Sequence, residues 1–125
     1  MALILVVDDD DQFRSMLCRT LERGGYEVVD APNGKEGIRL YGKRPADLVI
    51  TDILMPEKEG IQTIMELRHD FPEVKILAIS GGGKVRPDEY LFMAKSFGAQ
   101  RTLAKPFEQK ELLQAVVELL GEGQD

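Results

Sequence analysis

With a single cysteine, Cys18, the chain has no route to an internal disulfide. That residue falls within a helical apolar pattern and is expected to be a buried thiol, in keeping with a reducing, cytoplasmic setting. There is also one histidine, His69, with no second His or Cys beside it, so a histidine-based metal cluster is excluded and a surface position is expected. Long apolar runs are missing too. The N-terminal run Met1 to Val7 is followed at once by four aspartates, and it is far too short for a membrane span or a complete signal peptide. No cluster of Lys and Arg with interleaved aromatics offsets the net charge of -6, which argues against direct nucleic-acid binding. Repeats, Ser/Pro-rich linkers and low-complexity segments are absent, and Gly121 to Asp125 reads as a frayed tail. Met1 and this short tail favour a stand-alone protein.

What is present is enough apolar material, 43% of 125 residues, for one substantial core, so a single domain over residues 1–125 is expected. Five short runs rich in Val, Ile and Leu recur: Leu3 to Val7, Glu27 to Val29, Leu48 to Thr51, Lys75 to Ile79 and Thr102 to Ala104. The continuous apolar runs in the middle of this set read as buried parallel strands. Between them come helical periods. Phe13, Met16, Leu17 and Leu21 stop at Gly24-Gly25, and Ile38, Leu40 and Tyr41 stop near Pro45. Ile61, Ile64, Met65 and Leu67 stop at Pro72, and Leu91, Ala94 and Phe97 stop at Gly98. The last period, Leu112, Leu113, Val116, Val117 and Leu120, stops at Gly121. Five βα units joined by right-handed crossovers make a doubly wound α/β fold, a five-stranded parallel sheet with helices on both faces.

In an open α/β sheet the ligand site lies beyond the carboxyl ends of the strands. There the first run delivers Asp8 and Asp9, the third Asp52, the fourth Ser80 and the fifth Lys105 with Pro106. Asp10 or Asp11 is expected to cap the following helix. Like charges a few ångströms apart repel by roughly 4 kcal/mol per pair at an effective dielectric of about 20. Such acids therefore hold protons or recruit a cation. Oxygen-only donors suit a hard ion, and a shell completed by waters and a phosphate oxygen suits magnesium better than calcium.

Lys105 alone would pass as a surface lysine. A cis bond to Pro106 would aim its ammonium back across the strand ends, where it supplies the positive charge that a transferred phosphoryl group needs. Ser80 alone would be a turn residue before Gly81-Gly82-Gly83, whereas at a strand end opposite the acids it reads as a phosphate-binding hydroxyl. The stretch 81–84 is not a phosphate loop, since Val85 stands where Ser or Thr is required. Met55, Met65 and Met93 read as packing.

These residues together resemble the response-regulator receiver family over essentially the whole chain: VVDD at 6 to 9, D-x-x-M-P at 52 to 56, Gly60, Ser80, Gly98-Ala99 and K-P-F at 105 to 107. The resemblance implies a flavodoxin-like (βα)5 fold with strand order 2-1-3-4-5. It implies that Asp52 is the phosphoacceptor, that Asp8 and Asp9 hold magnesium with Asp52 and the Leu54 carbonyl, and that Ser80 and Lys105 bind the phosphoryl oxygens. It further implies a sensor histidine kinase or phosphotransfer protein as donor, and a downstream protein reading the face Asp88 to Leu120. On this reading the domain catalyses only its own phosphorylation and slow dephosphorylation, and is cytoplasmic, with no membrane or nucleic-acid partner.

The sequence departs from the family pattern in two places. Thr102 occupies the position three before the lysine, usually aromatic in the family, and the stretch between Ser80 and Gly98 is longer than in compact members. With no ring to move at 102, residues 81–86 are expected to carry the phosphorylation-induced change. Two other readings stay open. A haloacid-dehalogenase-type phosphohydrolase could use Asp8 and Asp10 as its D-x-D pair, although the downstream acids Glu108 and Glu111 are dispersed on a helix. A receiver-like interaction module without phosphorylation would lack the acceptor, an acid or the lysine, and all are present.

Overall fold

A computed structural model describes residues 2–53, 59–80, 92 and 94–121. Five strands form one parallel sheet in the order β2-β1-β3-β4-β5. They are β1 (Leu3–Val7), β2 (Glu27–Ala31), β3 (Leu48–Asp52), β4 (Ile76–Ser80) and β5 (Arg101–Ala104). Between them run α1 (Asp11–Arg23), α2 (Gly34–Lys43) and α3 (Glu59–Asp70), and a C-terminal helix spans Gln109–Leu120. Residues 94–97 are also helical. The sheet and its order agree with the expected 2-1-3-4-5 arrangement.

Two-residue periodicity sorts each central strand between two cores. Leu3, Leu5, Val7, Val49 and Ile76 face one side, where Tyr41 of α2 and Ile61, Ile64 and Leu67 of α3 cover them. Ile4, Val6, Ile50, Leu77 and Ile79 face the other, beneath Leu17 and Leu21 of α1 and Leu112, Ala115 and Val116 of the C-terminal helix. Strands β1, β3 and β4 are buried throughout, whereas the edge strands β2 and β5 are partly open. Strand β2 runs two residues beyond the expected Glu27 to Val29. Asp30 and Ala31 still pair with β1, through the register Val6 to Asp30 and Val7 to Ala31.

The helix ends follow local chemistry. Asp10 is the N-cap of α1, accepting the backbone N–H groups of Gln12 and Phe13. Gly121 closes the C-terminal helix in the left-handed conformation, φ 73°. Two apolar residues depart from the helical pattern: Met65 is 44% exposed and Phe97 38%, so neither is core. His69 is exposed as expected, beside Asp70. Cys18 is half-buried, and burial pushes its thiol up to about 11, so it stays protonated. Among the described residues no helix is long and apolar enough to cross a membrane.

Candidate functional site

Strand ends build the site. Asp52 and Ser80 are the last residues of β3 and β4, and both are buried, at 6% and 0% exposure. Asp8 follows β1 directly, is 1% exposed, and is held to the sheet by donating its N–H to the Ala31 carbonyl. Lys105 follows β5, and its N–H donates to the Ser80 carbonyl at 2.6 Å. From there its ammonium reaches Asp52 Oδ2 at 3.1 Å. The Lys105–Pro106 peptide bond is cis. Asp9 is exposed at the mouth, while Asp10 and Asp11 face solvent, with Asp10 serving as the α1 cap.

Two buried oxygens find no hydrogen-bond partner among the described residues: Asp8 Oδ2 and Ser80 Oγ. A buried polar atom left unpaired is costly, so these two oxygens are the candidates for ligand contact. The other Asp8 oxygen accepts the Asp10 N–H at 2.9 Å. Burial pushes the Asp8 carboxyl up to about 6; the Asp10 N–H and Lys105 oppose the rise, and Asp52 and Asp9 add to it.

The donor set fits magnesium. It consists of oxygens alone, one of them orphaned and buried, in a field that resists ionisation. Among the described residues no group of three His, Cys, Asp or Glu is placed to hold a metal ion. Magnesium is commonly held through one or two carboxylates with water completing its shell, and Asp8 and Asp52 are the buried carboxylates here that would serve. The Leu54 carbonyl, the rest of 54–56, the Gly81–Gly83 run and residues 81–86 lie outside the described residues, as do Met55 and Met93.

Sequence reasoning missed two neighbours of the site. Arg14 of α1 donates to the Asp8 carbonyl at 2.7 Å, to Asp30 Oδ2 at 2.8 Å and to Asp11 Oδ1 at 2.7 Å. Its signal was a lone cation one turn into a helix that follows four acids. Phe13 lies under Lys105, with the ammonium 3.8 Å from its ring centroid. It was legible only as part of the apolar face of α1. Thr102 is half-buried in β5, paired in register with Ala78.

A family model described as the response regulator receiver domain matches residues 4–117. The chemotaxis protein CheY of Thermotoga maritima is 34% identical over 114 residues, covering 90% of this chain and 92% of that one. The response regulator receiver protein CpdR of Brucella abortus is 31% identical, covering 96% and 98%. A crystal structure of a putative response regulator from Chloroflexus aurantiacus superposes with a TM-score of 0.87 at 32% identity, covering 97% and 98% of the two chains. Because the receiver-domain model spans residues 4–117, the haloacid-dehalogenase alternative is set aside. The chain belongs to the response regulator receiver domain family.

Proposed function

We propose that this domain is a phosphorylation switch of a two-component system, in which Asp52 accepts a phosphoryl group and the output surface changes in consequence. The observation that carries this reading is the buried Asp52 carboxylate with the Lys105 ammonium 3.1 Å from its Oδ2. Family members act as signalling switches in phosphorelays, with histidine kinases or phosphotransfer proteins as donors.

A carboxylate is a weak nucleophile, so the chain contributes placement and charge. An Asp52 oxygen forms the new O–P bond as the P–N bond of a kinase phosphohistidine breaks. The imidazole leaves with the electron pair and takes up a proton. Lys105 faces the oxygens on which charge is carried, and the buried Ser80 hydroxyl donates to one of them. Asp8, Asp9, Asp52 and the Leu54 carbonyl would hold magnesium, which when bound would supply positive charge to neutralise the phosphoryl oxygens. Later attack by water releases phosphate and regenerates the Asp52 carboxylate, resetting the switch.

The partner-facing surface is assigned to 88–120. Its described part carries Phe92 and Phe97, 73% and 38% exposed, apolar area of the kind a protein partner covers. Residues 88–91 and Met93 lie outside the described residues. A cytoplasmic location follows from the donors such a switch serves.

Incubation with acetyl phosphate and magnesium, read by intact mass, tests the proposal. The wild type should gain one phosphoryl group and release acetate, and Asp52→Ala should gain none. No gain in the wild type, or an equal gain in the variant, would overturn it.

A further inference from the structure

Among the described residues the Lys105 ammonium makes two contacts of different kinds. One is the Asp52 carboxylate, at 3.1 Å. The other is the face of the Phe13 ring, whose centroid is 3.8 Å away, well within the range of a cation–π contact. We propose that Phe13 is a positioning residue for phosphoryl transfer, holding the Lys105 ammonium over the strand ends while Asp52 changes charge. The inference rests on the phosphorylation reading of Asp52.

Lysine carries its charge on a flexible stem with several rotatable bonds. In the unreacted site the Asp52 carboxylate restrains that stem, but this is the group consumed by the reaction. Once an Asp52 oxygen bonds to phosphorus, the attraction that held the ammonium at the carboxylate is redistributed. The ring's attraction comes from its quadrupole and does not depend on the state of Asp52. It keeps the ammonium near the position where charge develops.

The ring is itself fixed. Its backbone N–H donates to the Asp10 cap at 3.1 Å, which sets where α1 begins. Phe107, two residues past Lys105, packs edge-on against it, with ring centroids 6.2 Å apart and planes at 78°. Both rings lean on the core between α1 and the C-terminal helix. The acidic loop thus delivers Asp8 to the sheet, the α1 cap through Asp10, and the support of Lys105 through Phe13.

The test compares wild type, Phe13→Leu, Phe13→Tyr and protein with one, two or three fluorines on the Phe13 ring. Fluorination withdraws charge from the ring face while nearly keeping its shape. In the metal-free protein, the Lys105 ε-methylene protons should be shifted upfield by the ring current, and the shift should vanish in Phe13→Leu. Phosphorylation by acetyl phosphate with magnesium should slow about threefold to tenfold in Phe13→Leu, the scale of one cation–π contact. It should hold in Phe13→Tyr and fall stepwise with each added fluorine. A flat fluorine series beside a phosphorylated wild type, or no upfield shift in the wild type, would overturn the role of Phe13 alone. A wild type that takes no phosphoryl group would overturn the underlying reading instead.

Discussion

Gly60, in the first turn of α3, crosses the end of β3 so closely that a β-carbon on it would lie 2.3 Å from the Asp52 carbonyl oxygen and 2.4 Å from Ile53 Cα. Both obstacles are backbone, so neither can rotate away. Gly60→Ala should therefore cost about 3 kcal/mol and displace the proposed acceptor. Gly42 in α2 is the contrast. A β-carbon there meets only Phe71 Cζ, at 3.8 Å. Gly42→Ala should be neutral or stabilising by up to about 1 kcal/mol. Urea denaturation of the two variants checks this, and equal midpoints would refute it.

Ser80 separates stability from chemistry. Its hydroxyl is wholly buried, and no partner is found among the described residues. Ser80→Ala removes an unsatisfied polar atom at the cost of a small void, so the metal-free protein should gain about 1 kcal/mol. If the hydroxyl donates to the transferred group, phosphorylation by acetyl phosphate should slow on the order of tenfold to hundredfold. A variant that loses stability and keeps its rate would show that the hydroxyl is structural.

The strand-end residues were legible because a parallel sheet places every strand's last polar residue on one edge, whatever the connections do. Asp8, Asp52, Ser80 and Lys105 all came from that rule, and the apolar runs supplied the edge itself. Residues that act sideways were not legible. Gln100 accepts the Ile76 N–H at 2.8 Å and donates to the Val74 carbonyl at 3.0 Å, extending the sheet with a side chain. Nothing in its neighbours along the chain announces that. Phe13 matched the α1 period as well as a core residue does, and only the distance to Lys105 gives it a second role. Met65 and Phe97 failed in the opposite sense, since a helical period records spacing but not whether an element covers that face.

Arg14 should prove a structural tie with directional requirements. Its guanidinium sends separate nitrogens to the Asp8 carbonyl, Asp30 and Asp11. Asp11 and Asp30 are 84% and 47% exposed, so those ion pairs contribute little. The charged bond to the Asp8 carbonyl is the larger loss, and Arg14→Met should cost about 1–2 kcal/mol. Arg14→Lys should recover less than half of it, because an ammonium cannot reproduce the three-way fork. Full recovery by lysine would show that charge alone matters.

The last expectation follows from the electrostatics of Asp8. Its carboxyl is pushed from 3.8 up to about 6, mainly by burial. A raised acid binds more protons in the folded state than in the unfolded state across that interval. The Asp8 contribution to stability should therefore be most favourable below about pH 4, decline as pH rises toward 6, and stay level above it, whereas the lowered Glu27 and Glu36 act in the opposite direction. The shift corresponds to on the order of 3 kcal/mol lost at neutral pH. Asp8→Asn keeps an oxygen for the Asp10 N–H and carries no charge, so without metal it should be more stable than wild type at pH 7.5. Its advantage should vanish below pH 4. Magnesium should reverse the ranking, since binding to the folded wild type raises its midpoint while the asparagine variant has lost an anionic ligand. Thermal melts of both proteins at two pH values, with and without magnesium, decide the matter. An asparagine variant that is less stable at pH 7.5 without metal, or equally stabilised by magnesium, would mean that Asp8 is not the strained carboxylate of this site.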